Sequence, residues 1–152
     1  ADLLTRNDLT LATAESCTGG LVSSRLTDVA GSSTFFKGGV VSYSNEVKYR
    51  HLGVAEKLIH EFGAVSENVA GAMASGVRDR LETDYGVATT GIAGPTGGTA
   101  EKPVGLVYVA VAGAKGVTVE SYVYRNDRSA NKVRFASAAL NLLRKTLYDD
   151  IE

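Results

Sequence analysis

The sequence has little of what several function classes require: one cysteine, two histidines and no long apolar run. Cys17 alone cannot form an intrachain disulfide, which fits a reducing compartment, so we expect a cytoplasmic protein. No segment is apolar for long enough to cross a membrane, and the polar start Ala1–Asp8 lacks the pattern of a signal peptide. The 16 Lys and Arg residues balance 17 Asp and Glu residues without clustering, so nucleic acid is not an expected partner.

Metal chemistry is not expected either, because His, Cys, Asp and Glu residues nowhere have the spacing of metal ligands. We likewise expect no organic cofactor. With 152 residues, 44% hydrophobic and 22% charged, the chain has the composition of one globular domain covering residues 1–152. It begins with Ala1 rather than Met, which leaves open whether it is processed or cut from a longer polypeptide.

Helix and strand patterns alternate along the chain. Strands are predicted over residues 9–14, 38–44, 86–90, 106–111 and 117–124, and helices over 21–29, 45–52, 56–62, 67–83 and 133–147. The tight turn Gly113–Gly116 makes the last two strands antiparallel. This order predicts an α/β fold in which helices cover both faces of a mixed sheet of about five strands.

The segment Thr13–Gly20, Thr-Ala-Glu-Ser-Cys-Thr-Gly-Gly, lies between the first predicted strand and the first long helix. A helix N-terminus presents unpaired N–H groups that can stabilise a substrate oxygen beside a hydroxyl or thiol. Ser16 and Cys17 are therefore candidate nucleophiles. The alternative is that Ser16 or Thr18 only caps the helix, while the two glycines permit a tight turn.

Four further motifs follow in order: Ala30–Ser33, Val41–Lys48, Thr89–Gly98 and Lys102–Gly105. The segment Thr13–Gly20 is a strand-to-helix elbow. In order and spacing, this elbow and the four motifs resemble the CinA C-terminal domain family over about Leu9–Leu147. Characterised members hydrolyse the amide of nicotinamide mononucleotide, so the resemblance implies an amidohydrolase of the pyridine nucleotide cycle in NAD metabolism. It also implies a three-layer α/β/α sandwich with a mostly parallel sheet and one antiparallel strand.

One departure from the family concerns the N-terminus. The family usually carries a helix before the first strand, and here only the short polar stretch Ala1–Asp8 stands in its place. Part of the sheet would then be covered by another chain, so we expect a homo-oligomer, most simply a two-fold dimer.

The resemblance assigns a serine–lysine pair to Ser16 and Lys48, with Ser16 as nucleophile and Lys48 as base. Burial would lower the pKa of Lys48, whereas the alternative is an ordinary solvated helix lysine. Tyr43 matches a tyrosine that assists the site or stacks near the pyridine ring, and otherwise packs as a strand aromatic. The predicted substrate-binding residues are Cys17, Thr18, Gly19, Gly20, Ser33, Thr90, Gly91 and Arg128.

Several assignments have rivals. Cys17 could be the nucleophile, because a thiol at a helix N-terminus has a lowered pKa, but no histidine beside it is evident. His51 and His60 both fall in predicted surface helices. Arg128 could hold the substrate phosphate, and Arg125 could do so instead.

We therefore predict that the chain converts nicotinamide mononucleotide to nicotinate mononucleotide and ammonia. A nucleotide-binding or interaction module without turnover, in a CinA-like competence or damage-inducible protein, is the alternative. Phosphoanhydride hydrolysis is a third possibility, although no cluster of acidic metal ligands supports it.

Overall fold

The computed structural model describes residues 1–151 and contains five strands, six α-helices and one 3-10 turn. The strands are β1 (Leu11–Glu15), β2 (Phe36–Val41), β3 (Tyr85–Gly91), β4 (Leu106–Gly113) and β5 (Gly116–Val123). The helices are α1 (Asp2–Arg6), α2 (Leu21–Thr27), α3 (Asn45–Leu52), α4 (Glu56–Phe62), α5 (Glu67–Arg80) and α6 (Arg128–Ile151), with the 3-10 turn at Ser32–Thr34. Glu152, the last residue of the predicted domain, lies outside the described residues.

The strands form one sheet in the order β2-β1-β3-β4-β5. β1 is parallel to β2 and β3, whereas β4 is antiparallel to both of its neighbours. The prediction of an α/β sandwich with one antiparallel strand is therefore confirmed. The predicted limits of α3 and α4 are also confirmed, but α5 ends at Arg80 rather than at Thr83, and the predicted strand over 38–44 is Phe36–Val41.

Two apolar layers hold helices against the two faces of the sheet. Leu11 and Val87 join a layer with α2 and α6, while Ala12 and Ala88 join one with α3, α4 and α5. Alternate residues of β1 and β3 point to opposite faces, which explains why both strands are buried along almost their whole length.

The N-terminal expectation is wrong, because α1 occupies the place in which only a polar stretch was expected. Leu4 is buried in the layer formed by α2 and α6, together with Leu26, Leu143 and Leu147. The short segment before β1 therefore covers this part of the sheet from within the chain, and it needs no second chain to do so.

β1 lies where the chain changes direction across the sheet. From β1 the chain passes through α2 to β2 on one side, and it later returns through α5 to β3 on the other. Ligands of open α/β sheets bind in the crevice outside the carboxyl ends of strands at such a switch point. The elbow after β1 and the loop after β3 both lie at this crevice.

Candidate active site

The elbow begins at the last residue of β1 and places Ser16 at the carboxyl edge of the sheet. The Ser16 N–H donates to the Thr89 carbonyl on β3 at 3.0 Å, so the backbone of Ser16 continues the strand pairing. Gly19 and Gly20 then have φ values of +60° and +103°, and Gly20 is the N-cap of α2. Residues with a Cβ are strained in this conformation, which is why two glycines follow Ser16, Cys17 and Thr18.

Lys48 reaches the same point from the first turns of α3. The Ser44 hydroxyl accepts from the Val47 N–H at 3.2 Å and caps this helix, which sets its first residue. The Lys48 side chain is 1% exposed. Its Nζ donates to the Ser42 carbonyl at 2.6 Å and to Ser16 Oγ at 3.1 Å. The structure thus brings the predicted nucleophile and the predicted base into hydrogen-bond contact.

Burial is the main influence on the charge of Lys48. It lowers the pKa of the ammonium group from 10.5 to about 8, because a buried cation loses its hydration. Among residues 1–151, no carboxylate forms an ion pair with Nζ. Lys48 can therefore be neutral at a pH where an ordinary lysine is protonated, as a general base requires.

Burial shifts the pKa of Cys17 in the opposite direction from that of Lys48. It is 6% exposed, and burial raises the pKa of its thiol to about 12, with the Glu15 carboxylate adding to the rise. The hydrogen bond with Thr89 and the charge of Lys48 oppose this rise but are smaller. The thiol is protonated near neutral pH, and His51 and His60 are both exposed on their helices. These features disfavour Cys17 as the nucleophile.

A cavity of about 270 Å³ opens beside Ser16. It is lined by Ser16, Cys17, Tyr43, Gly91, Ile92, Ala93, Gly94, Thr96, Gly97 and Arg128. A Cβ on Gly91 would lie 2.6 Å from the Leu106 carbonyl oxygen and 3.2 Å from Cys17 Sγ, so only glycine fits this end of β3. Five of the predicted site residues therefore share one cavity.

Arg128 closes one side of this cavity. Its guanidinium donates to the Gly94 carbonyl at 2.6 Å and to the Tyr43 hydroxyl at 3.1 Å. The buried Asn131, one turn along α6, donates to the Ala93 carbonyl at 3.0 Å and so fixes the helix against the loop. Arg128 keeps further N–H donors for a ligand, because a guanidinium carries five.

The hydroxyl groups of three predicted substrate-binding residues lie outside this cavity. Ser33 is exposed in the 3-10 turn before β2, at the opposite end of β1 from Ser16, about 13 Å along the strand. Thr90 is buried on the α5 face, where its hydroxyl donates to the Ala64 carbonyl at 2.8 Å. Thr18 is 1% exposed and turns beneath the elbow. None of the three hydroxyls lines the cavity, although the backbone N–H of Thr18 stays at the elbow.

Several residues at or beneath the site were not predicted from the sequence. Glu15 is 1% exposed beneath the elbow, Asn131 is buried beside the loop, and the Ser42 carbonyl accepts from Lys48. A signal for Glu15 was available, because a glutamate at the end of a buried strand must find polar partners. Lys132, one turn of α6 beyond Arg128, was not predicted either. Its Nζ lies close to the elbow, 3.7 Å from the position that a Cβ on Gly19 would take.

The elbow offers fewer oxyanion donors than its sequence suggests. The N–H of Gly19 donates to the Ser16 carbonyl, and those of Val22 and Ser23 donate to Glu15. In the remainder of the elbow, the N–H groups of Cys17, Thr18 and Gly20 have no backbone acceptor among residues 1–151. An oxyanion formed beside Ser16 would bind these three donors.

Between Ala1 and Ile151, no group of three or more His, Cys, Asp and Glu side chains is placed to hold a metal ion. In the same part of the chain, no helix is both long and apolar enough to span a bilayer.

The sequence matches a family model described as the CinA C-terminal domain over residues 1–147. A CinA-like protein of Salinibacter ruber is 54% identical over 146 residues, which cover 96% of this chain and 35% of that protein. A CinA-like protein of Geobacter sulfurreducens is 52% identical over 147 residues, 97% of this chain and 36% of its own length. The chain thus spans about a third of the length of these curated relatives.

Solved structures of the same superfamily are similar. Competence/damage inducible protein CihA from Agrobacterium tumefaciens has a TM-score of 0.91 at 42% identity, covering 95% of this chain and 88% of its own. A competence-damaged protein (CinA) superfamily protein from Klebsiella pneumoniae has a TM-score of 0.93 at 30% identity, covering 97% and 92%.

Proposed function

Because this chain belongs to the CinA C-terminal domain family, we propose that it is an amidohydrolase that converts nicotinamide mononucleotide to nicotinate mononucleotide and ammonia. The observation that carries the proposal is the 3.1 Å contact between Lys48 Nζ and Ser16 Oγ in a cavity at the switch point of the sheet. The names of the solved structures refer to competence and damage, those of the curated relatives say only CinA-like, and none specifies a reaction. The chemistry is therefore inferred from the site and from the family resemblance.

In the proposed first step, Ser16 Oγ attacks the carboxamide carbon while neutral Lys48 takes the hydroxyl proton. Before the transfer, Nζ donates to the Ser42 carbonyl and its lone pair faces Ser16 Oγ; afterwards the new N–H bond occupies that direction. The negative oxygen of the tetrahedral intermediate accepts hydrogen bonds from the free N–H groups of Cys17, Thr18 and Gly20. Charge thus develops beside donors that are already in position.

In the second step, the protonated Lys48 returns its proton to the amide nitrogen. The C–N bond breaks, ammonia leaves, and the acid remains as an ester on Ser16. A water molecule then attacks the ester, Lys48 accepts its proton, and Ser16 leaves and is protonated again. Neither a metal nor an organic cofactor takes part in the proposed cycle.

Tyr43 and Arg128 would hold the substrate at the mouth of the cavity. Tyr43 is 63% exposed, so its ring is free to stack on the pyridine, and the unused donors of Arg128 would bind the phosphate. Lys132 would add a second cation one helical turn away. The proposed setting is the cytoplasm, in keeping with a buried cysteine that has no partner for a disulfide among residues 1–151.

Ammonia release from nicotinamide mononucleotide by the purified protein in EDTA tests the proposal. Turnover that persists in EDTA supports the metal-free serine–lysine mechanism, and its abolition by EDTA contradicts that mechanism. Binding of the nucleotide without ammonia release would favour a binding module instead. A binding module is the alternative because this chain matches only about a third of the length of the curated relatives.

Arg128→Ala should erase most of the preference for the nucleotide over the nucleoside that lacks its phosphate. A charge-assisted pair is worth roughly 1.5–3 kcal/mol, which corresponds to a loss of about 10- to 100-fold in the ratio of the two kcat/KM values. Both substrates should also lose some activity, because Arg128 supports Gly94 and Tyr43. Steady-state kinetics on the two substrates measures the ratio.

Tyr43→Phe is the matched control for this prediction, because it removes the hydroxyl bonded to Arg128 and leaves the guanidinium in place. It should leave the substrate ratio unchanged. If Arg128→Ala lowers both kcat/KM values equally, then Arg128 is not the phosphate ligand, and Arg125→Ala tests the alternative.

We also propose a homodimer. The reason is the two exposed edges of the sheet, and no longer an uncovered region near the N-terminus. β2 and β5 are both unpaired edges of the sheet, and β5 exposes Val117 and Val123 at 48% each. Exposed edges carrying apolar side chains favour pairing with another chain. Sedimentation at micromolar concentration should give twice the chain mass of 15.9 kDa. A monomer at that concentration would rule out the dimer.

A further inference from the structure

The carboxylate of Glu15 is the most heavily bonded side chain beneath the elbow. Oε1 accepts from the Thr18 hydroxyl at 2.6 Å and from the Val22 N–H at 2.7 Å. Oε2 accepts from the Ser23 hydroxyl at 2.7 Å and from the Ser23 N–H at 3.0 Å. Between Ala1 and Ile151, no Lys, Arg or His forms an ion pair with it. A buried carboxylate is costly unless such donors satisfy it, so these four bonds strongly constrain the local structure.

Two of the four donors are the first free N–H groups of α2. Gly20 is the N-cap of this helix and has no side chain with which to cap it. Glu15 supplies the missing acceptor from the preceding strand, and the dipole of the helix favours a negative charge there. The carboxylate therefore joins the end of β1 to the start of α2 across the turn that carries Ser16.

The donor in each of the two threonine hydroxyl bonds beneath the elbow can be assigned. Thr18 gives its single proton to Glu15, so in the 2.8 Å contact between Thr18 and Thr89 it is Thr89 that donates. An ionised Glu15 thus orients the hydroxyls of Thr18 and Thr89 beneath the elbow.

We propose that Glu15 is the positioning residue of the site. By holding the start of α2 and Thr18, it fixes Ser16 against Lys48 and leaves the N–H groups of Cys17, Thr18 and Gly20 for the oxyanion. Glu15 does not touch the cavity, so it acts through the elbow and not on the substrate. This inference rests on the proposed amide hydrolysis for its kinetic consequences but not for its structural ones.

Glu15→Gln tests the inference with little change in shape. In either orientation, the new amide NH₂ faces one of the two α2 N–H groups, which loses its acceptor. Displacing the elbow should lower kcat about 10- to 100-fold, because small misplacements of a nucleophile are costly. KM should stay within about threefold, and the pH midpoint of kcat should stay unchanged, because Lys48 remains as buried as before.

Glu120→Gln is the matched control, since it also removes a hydrogen-bonded carboxylate, here the partner of Lys145 and Tyr122 on β5. It should leave kcat at the native value. Wild-type kcat in folded Glu15→Gln protein, or an equal loss in both variants, would overturn the positioning role. If Glu15→Gln does not fold, then Thr18→Val decides: it should lower kcat several-fold, and native kcat would overturn the inference.

Alkylation of Cys17 by iodoacetamide gives a readout that needs no substrate. Loss of the Glu15 charge, which raises the pKa of the thiol, and of the bonds that hold the elbow should make alkylation several-fold faster in Glu15→Gln than in Glu120→Gln, as measured by mass spectrometry. An unchanged rate would contradict the bonding scheme. Absence of ammonia release by the wild-type protein would instead reject the amidohydrolase proposal and leave the alkylation result interpretable.

Discussion

Ser16→Ala should lower kcat for ammonia release by about 10⁴-fold or more while the protein remains folded. Removal of a nucleophile from a serine hydrolase has effects of this size, because the remaining groups only bind and polarise the substrate. Folding should be preserved, since Ser16 is only half buried and its backbone N–H, which pairs with Thr89, is unchanged. Single-turnover kinetics measures the loss, and circular dichroism checks the fold.

Cys17→Ala is the control for the nucleophile. Burial holds its thiol protonated, so its loss should change kcat less than tenfold, with a modest loss of stability from the space left behind. An active Ser16→Ala enzyme would reject Ser16, and an inactive Cys17→Ala enzyme would make the thiol the better candidate. Comparable losses in both would leave the serine mechanism unsupported.

Lys48→Met should have two large effects in opposite directions. Turnover should fall about 10⁴-fold or more, because among residues 1–151 no other buried base contacts the Ser16 hydroxyl. The folded state should gain up to about 3 kcal/mol at pH 7, since the penalty for burying the ammonium disappears. Chemical denaturation of the two proteins measures the gain, and a large loss of stability would show that the lysine is structural.

The pH dependence of both quantities follows from the lowered pKa of Lys48. Below pH 8 the base is mostly protonated, so kcat should rise with pH and level off above about 8. Between pH 8 and 10.5 the unfolded chain binds this proton more tightly, so the wild type gains stability as pH rises through that window. The stability advantage of Lys48→Met should therefore disappear towards pH 10.5.

Lys48→Arg separates charge from proton transfer. Arginine keeps the positive charge but does not deprotonate in this pH range, so the variant should be inactive. Near-native turnover would mean that Lys48 supplies only charge. A flat pH profile for the wild type would lead to the same conclusion.

Local patterns were sufficient for much of the fold. The alternation in β1 depends on residues two apart and the helical spacing in α5 on residues three or four apart, so both can be predicted from a single sequence. The Ser66 cap of α5 is equally local, since its hydroxyl accepts from the Val69 N–H at 3.3 Å. α1 was missed because five residues carry too little periodicity, and it is the burial of Leu4 against α2 and α6 that supports it.

The sequence by itself determined the α/β class, the family and the elbow that carries Ser16, because these depend on residues close together in the chain. Only the tertiary structure decided which side chains meet: Lys48 reaches Ser16, whereas Thr90 bonds Ala64 and Ser33 lies at the other end of the sheet. Only the fold gave Glu15 its four donors. Side-chain direction on a strand and the depth of burial depend on packing between distant segments, and that packing lowers the pKa of Lys48 and raises the pKa of Cys17.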